Sequence, residues 1–357
     1  MRYLIAQQWP NLEGNHAGYP HICKLLQEKY PSKYKLIELE SPASYDHNCS
    51  NSSIKRLFFQ FDKIFNRKYY FHYLKQKCGS MLRSLKSGDE VFLLEYNLDA
   101  TPQYDFALYI KKHYKDVKIY AMTHLTPSYL EQNRYGKNKI LLQNQPIDVN
   151  ITLGSSLSEY FSSLGISNNK ISTGFHAVDT KYYRKDQIVA NKKLTIISIG
   201  ALQRNFELLS QIVRRVEDVN WIICAGRKNV SHLFENCKNV EIRGFMPEDE
   251  LRDVMDSADF SLNVLDDTIG SNVITTSLAM GLGLFVSDVG SIRDYCDETN
   301  AFFCENNAES FVSAINLVKS SPEMIINMRI SSLSKSKSLS IENTDKWFDG
   351  LSNNSCF

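Results

Sequence analysis

No apolar run in this chain is long enough to cross a membrane or to form the core of a secretory signal, and the opening MRYLIAQQWP breaks off after a few residues. The eight cysteines, at 23, 49, 78, 224, 237, 296, 304 and 356, make no C-x-x-C pair and no zinc-type spacing. That pattern speaks against a disulfide framework, a redox motif and a cysteine metal site, and a cytoplasmic protein with reduced, packed thiols is expected. The dinucleotide fingerprint G-x-G-x-x-G is also missing, although the chain has the strand-loop-helix units that would carry it. No metal and no resident cofactor are therefore expected. Net charge is nearly absent too, at +1 from 41 Lys/Arg and 40 Asp/Glu.

That small net charge hides a division. Residues 1–183 carry 23 Lys/Arg against 16 Asp/Glu, and residues 184–357 carry 18 against 24. Only the first part is suited to a negative surface. With 43% hydrophobic and 23% charged residues over 357 positions, the composition is that of a soluble globular protein with room for two cores.

The most unusual composition lies at Ile54–Lys77, where seven Lys/Arg and one Asp interleave with eight Phe/Tyr. Rings and cations on one helix suit an anionic lipid headgroup region. The alternative is a core helix whose basic side faces water. Nucleic acid is not expected, because no binding module accompanies the run.

Strand-like runs recur at Arg2–Ala6, Lys35–Leu39, Glu90–Glu95, Lys118–Met122 and Asn150–Leu153, with helical segments between them. After the polar stretch Arg184–Lys193 the pattern restarts at Leu194–Ile199, Asn220–Cys224, Val240–Ile242 and Phe260–Val264. Strands alternating with helices predict parallel sheets, and two such series predict two doubly wound α/β domains with a cleft between them. The Ser/Lys-rich stretch Ser331–Ser340 reads as a connector to a final helix containing Trp347 and Phe348.

The chain is organised around Asp266–Asp294. An acidic loop containing Gly270, Ser271 and Asn272 leads into a helix that starts at Val273, and Gly281-Leu282-Gly283 ends that helix before the strand Leu284–Val286. Gly270 allows close backbone approach, and the free N–H groups at a helix start favour phosphate. A second platform is the loop Asn11–Gly18, where Gly14, His16 and Gly18 precede a helix. His124 stands just past a strand, where open α/β sheets place ligands.

The order of these pieces resembles family-4 glycosyltransferases. The likeness rests on Asp148–Ser156, Gly165-Ile166, Lys170-Ile171 and Val178-Asp179, followed by Ser198-Ile199-Gly200, Ala225-Gly226, Arg243-Gly244-Phe245, Leu251–Asp259 and Gly281–Gly290. It spans most of residues 118–300. The resemblance implies a GT-B architecture, α/β with two facing Rossmann-like domains, at 1–184 for the acceptor and 185–338 for a nucleotide-sugar. A last helix at 339–357 would cross back to the first domain. It further implies a metal-independent transfer from a UDP- or GDP-linked sugar to a glycan or lipid-linked acceptor. Retention of configuration is expected, with His16 as a candidate base should the reaction invert.

By the same resemblance, Gly200, Arg204, Asn205, Gly226, Gly270, Ser271, Asn272, Val273, Thr275 and Thr276 would face the donor. His124, Arg204 and Asp267 would act at the reacting centre, and Gly14, His16 and Gly18 would shape the acceptor side. The departures are specific. Ala201 stands where the family has an arginine, leaving Arg204 alone for the diphosphate. Asp267 and Thr276 stand at or near the places of the family's two glutamates. The missing glutamates keep two alternatives open, a non-catalytic nucleotide-sugar-binding subunit and a GT-B nucleotide-sugar epimerase.

If Ile54–Lys77 meets the inner face of the cell membrane, the protein will co-sediment with anionic vesicles at low salt. Each basic residue near the surface contributes about 1 kcal/mol. The binding will be lost at high salt and in a variant lacking the charges of Lys55, Arg56, Lys63, Arg67 and Lys68. Equal, negligible pelleting in all conditions is the contrary result.

Overall fold

A computed structural model describes residues 1–8, 14–40, 68, 70–96, 103–132 and 136–353. The sequence reading of Asn11–Glu13 and most of the aromatic-basic run, 54–67 and 69, lie outside them.

The first series runs β1 (Arg2–Gln8), α1 (Tyr19–Lys29), β2 (Tyr34–Glu40), a helix α2 over 70–77, α3 (Gly79–Ser84), β3 (Glu90–Leu93), α4 (Gln103–His113) and β4 (Lys118–Met122). It continues with α5 (Pro127–Gln132), α6 (Lys137–Asn144), β5 (Val149–Thr152), α7 (Ser155–Ser163) and β6 (Ile171–Thr173). Its sheet has the order β2-β1-β3-β4-β5-β6.

The second series is β7 (Thr195–Ile199), α8 (Phe206–Arg215), β8 (Asn220–Cys224), β9 (Val240–Arg243), α9 (Glu248–Asp256), β10 (Phe260–Asn263), α10 (Asn272–Ala279), β11 (Gly283–Ser287), α11 (Ile292–Tyr295) and β12 (Ala301–Cys304). Helices α12 (Ala308–Lys319), α13 (Pro322–Ser336) and α14 (Ile341–Asn353) follow. The second sheet has the order β12-β11-β10-β7-β8-β9.

The strand pairings in both sheets are parallel. This explains why β3, β7, β10 and β11 are buried along their whole length: helices cover both faces of a parallel sheet, so its strands are apolar on both sides. Two parallel six-stranded sheets with flanking helices are the two-part α/β architecture expected from the sequence.

Helix α14 returns to the first sheet. Phe348 is fully buried, with its ring centroid 4.8 Å from that of Phe92 and 6.4 Å from that of Tyr34. Trp347 lies so close over Gly174 that a Cβ there would meet the indole at 2.0 Å. Glycine is therefore required at 174 by contact rather than by conformation. The polar side of α14 is pinned by charge. The Tyr34 hydroxyl donates to Asp345 at 2.6 Å, Lys33 to Asp349 at 2.7 Å, and Arg2 to Asp349 at 2.7 Å.

One expectation is revised. Ser331–Ser340 is not a loose connector, because α13 runs to Ser336 and a 3₁₀ turn, Lys337–Leu339, follows. Ser332 and Ser336 are buried, and the Ser332 hydroxyl donates to the Leu282 carbonyl at 2.7 Å. Within 70–77 the rings pack on the core, in line with the alternative reading of that run. Tyr70 and Leu74 are buried, and the Tyr70 hydroxyl donates to Gln7 at 2.8 Å.

Phe348→Ala will lower the unfolding free energy by about 3–5 kcal/mol in denaturant titration, the usual cost of emptying a buried phenylalanine site. A loss under about 1 kcal/mol would mean that α14 does not anchor the fold.

Candidate active site

In each sheet the chain winds outward in both directions from a central pair of strands, and ligands bind beyond the carboxyl ends of that pair. In the first sheet the pair is β1 and β3. In the second it is β7 and β10. The exits of β7 and β10 are the loops 200–205 and 264–271, so the topology brings together two stretches far apart in sequence.

Both loops end in a helix cap. The Asn205 side chain accepts from Leu208 N at 2.9 Å and starts α8, and the Ser271 hydroxyl accepts from Ile274 N at 3.3 Å and starts α10. Gly200 and Gly270 hold φ values of 93° and 92°, a region in which a side chain is strained. Arg204 folds back from the first loop, and its Nε donates to the Ile199 carbonyl at 3.1 Å. Its terminal nitrogen would lie 3.6 Å from a Cβ at Gly200, and Val273 of α10 would approach that point at the same distance. Among the described residues no carboxylate pairs with this guanidinium. Burial pulls its pKa down to about 10, which leaves it charged at neutral pH. An unneutralised cation beside a helix N-terminus is a preformed anion site.

A cavity of about 530 Å³ opens next to it. Gly200, Gly226, Asn272, Val273 and Thr276 line it from the second series, and Asn15, Ala17 and Tyr183 close it from the other side. Asn272 contributes a buried side-chain oxygen with no partner. Most of the remaining wall is apolar, and among the described residues Glu248 supplies its one carboxylate. Burial pushes the Glu248 carboxyl up to about 7, against a weaker opposing pull from His21.

Other residues selected from sequence sit elsewhere. The Asp267 carboxylate accepts from Ser128 N at 3.1 Å and from Thr268 N at 2.7 Å, so it caps a helix of the first series and does not line the cavity. His124 turns Nε2 to the Leu94 carbonyl at 2.8 Å and packs edge-on to Tyr19, also outside the cavity wall. The Thr275 and Thr276 hydroxyls donate to the Asn272 carbonyl at 3.2 and 2.7 Å, so the hydroxyl protons stay within the helix. Gly14 takes φ 75° and Gly18 starts α1, but their neighbours Asn15 and Ala17 reach the cavity instead. His16 stacks on Tyr182, with ring centroids 3.6 Å apart.

Sequence reasoning missed Arg227, Met246, Glu248 and Met255 on the wall. The available signal was position: Arg227 and Met246 follow β8 and β9, the next strands outward from β7, and parallel strands deliver all their exits to one edge. Arg227 lies 5.2 Å from the Phe245 ring centroid.

Residues 193–319, the segment that carries this loop set, match the family model described as Glycosyl transferases group 1. No curated protein matches the chain. Among solved structures it is similar to HepE of Anabaena in complex with UDP, at 10% identity and TM-score 0.69, covering 98% of this chain and 99% of that one. Sucrose-phosphate synthase from Thermosynechococcus elongatus aligns at 11% identity and TM-score 0.71, over 99% of both chains. The lipopolysaccharide outer core galactosyltransferase WaaB, in its apo form, aligns at 14% identity and TM-score 0.65, over 98% of this chain and 99% of that one.

The raised pKa of Glu248 fixes a sign. An acid that is harder to ionise when folded imposes no penalty below its unfolded pKa of about 4.5, and the full penalty above about 7. Glu248→Gln will therefore raise the melting temperature at pH 8 and leave it nearly unchanged at pH 4.5. An equal shift at both pH values would show that Glu248 is solvated.

Proposed function

We propose that this chain, whose fold is GT-B, is a glycosyltransferase that moves a sugar from a nucleotide-diphosphate donor, UDP- or GDP-linked, to a glycan or lipid-linked acceptor in cell-surface polysaccharide synthesis. The observation that carries this reading is the unpaired Arg204 guanidinium beside the start of α10, at the mouth of the interdomain cavity. The diphosphate rests on Arg204 and on the free N–H groups at Asn272 and Val273. The nucleoside enters the mainly apolar cavity toward Gly226 and Met246. UDP is the nucleotide in the HepE complexes, and one of them holds UDP-glucose.

Transfer needs the leaving diphosphate neutralised, the acceptor hydroxyl held near the anomeric carbon, and water kept out. Arg204 and the helix start supply the first without a metal at the phosphates. The Gly14–Gly18 loop of the first domain (residues 1–184) supplies the acceptor side, facing the nucleotide domain (185–338). We favour retention, because no carboxylate or histidine of the first domain lines the cavity as a free base among the described residues. The excess positive charge of residues 1–183 supports work at the inner membrane face.

Arg204→Ala will weaken UDP or GDP binding by roughly 1.5–3 kcal/mol, about 10- to 150-fold by calorimetry, with an unchanged fold. Unaltered affinity for whichever nucleotide the wild type binds would overturn the assignment.

A further inference from the structure

Three side chains from distant parts of the sequence converge beside the cavity: His16 from the loop before α1, His21 from the first turns of α1, and Asp179 from the segment after β6. His21 Nε2 lies 3.0 Å from Asp179 Oδ2, His16 Nδ1 lies 3.7 Å from that same oxygen, and all three atoms fall within 4.8 Å of one another. We infer that these residues form a site for a borderline divalent cation such as Zn²⁺, which would pin the 14–18 loop to the segment around Asp179. Ligands about 2.1 Å from a tetrahedral metal stand about 3.4 Å apart. The two distances to Asp179 straddle that value, so a small movement brings them to it.

A simple ion pair explains less. The His21–Asp179 contact accounts for one ring, but it leaves His16 Nδ1 buried with no hydrogen-bond partner. The groups are also already oriented. Asp179 Oδ1 accepts from the backbone N–H of Lys181 at 3.0 Å and of Tyr182 at 3.2 Å, which leaves Oδ2 to face the two imidazoles. Such outer contacts fix metal ligands in place. The His16 ring lies parallel to Tyr182, with an interplanar angle of 3°.

Two imidazoles and a carboxylate suit Zn²⁺ or Co²⁺ better than Mg²⁺ or Ca²⁺. Arg252, 4.7 Å from the Tyr182 ring, opposes a cation here, and the Glu248 carboxylate facing His21 favours one. Asn15 and Ala17, on either side of His16, line the cavity, so a bound ion would fix the loop that closes it. The inference concerns loop placement and is independent of the donor assignment.

The test uses the full chain after chelator treatment, titrated with Zn²⁺ in competition with a chromophoric chelator and with Co²⁺ in the visible range. One equivalent should bind, Co²⁺ should give a tetrahedral nitrogen-oxygen spectrum, and Zn²⁺ should raise the melting temperature. His16→Phe keeps a ring on Tyr182 and removes a ligand, and Asp179→Asn removes the anion. Each should weaken binding at least tenfold. His16→Phe should melt like the metal-free wild type, so it remains decisive should Asp179→Asn fail to fold. Undiminished affinity in His16→Phe, no stoichiometric binding by the wild type, or a thiolate-to-cobalt band that marks cysteine ligation would each overturn the site.

Discussion

The second half of the molecule hangs on one buried ion pair. Arg329 of α13 is 1% exposed and Asp259, just before β10, is fully buried, with their charged atoms 2.8 Å apart. Arg329 also donates to the Gly281 and Val189 carbonyls at 2.8 and 2.9 Å, while Asp259 accepts from Asn191 N at 3.1 Å and Thr195 N at 3.0 Å. The pair thus joins the interdomain stretch, β7, β10, the end of α10 and α13 at the amino ends of the strands. Removing one partner of such a pair typically costs about 3–5 kcal/mol, because the other charge stays buried alone. This is why α13 is ordered helix where the Ser/Lys composition suggested a connector.

With the amino ends fixed, the carboxyl ends are free to be irregular, and the strained positions at Gly200, Gly226 and Gly270 collect there. The same edge meets the first half. Ser155 N, which starts α7, donates to Asp294 at 2.6 Å, and Ser156 N donates to the Ser291 hydroxyl at 2.9 Å. Asp267 serves Ser128 N in the same way. Helix α7 is not capped by a side chain of its own half, so orphan N–H groups of the first half are satisfied by the second. Gly154 is tied to this contact, since a Cβ would lie 2.4 Å from Ser291.

Much of this was legible in the chain. Runs such as TIISI and NWIIC, each followed by helical periodicity, carry the parallel sheets, and the two series carry the two-part architecture. The loops leaving β7 and β10 were legible because glycine and a helix start mark them locally. What was not legible depends on side-chain direction or on long-range pairing. Asp267 has the right sequence position, yet its carboxylate bonds Ser128 N, 139 residues away. Asp179 meets His21 across 158 residues. Glu248 reads as an ordinary acidic first-turn residue of an amphipathic helix, and only the cavity shows that it is desolvated.

The departures at Asp267 and Thr276 then fit together. Thr276 lines the cavity, but its hydroxyl proton is committed to the Asn272 carbonyl, so it can accept a hydrogen bond and cannot readily donate one. Asp267 is occupied at the interdomain contact. In the proposed donor mode, polar recognition therefore shifts to groups that remain uncommitted: the unpartnered Asn272 oxygen, the Glu248 carboxylate and the Arg204 guanidinium. An unpaired buried polar group is costly in the empty protein, and a ligand that supplies the missing partner recovers that cost on binding. A site built this way selects for hydrogen-bond complementarity more than for shape, because an ill-matched ligand leaves the same groups buried and unsatisfied.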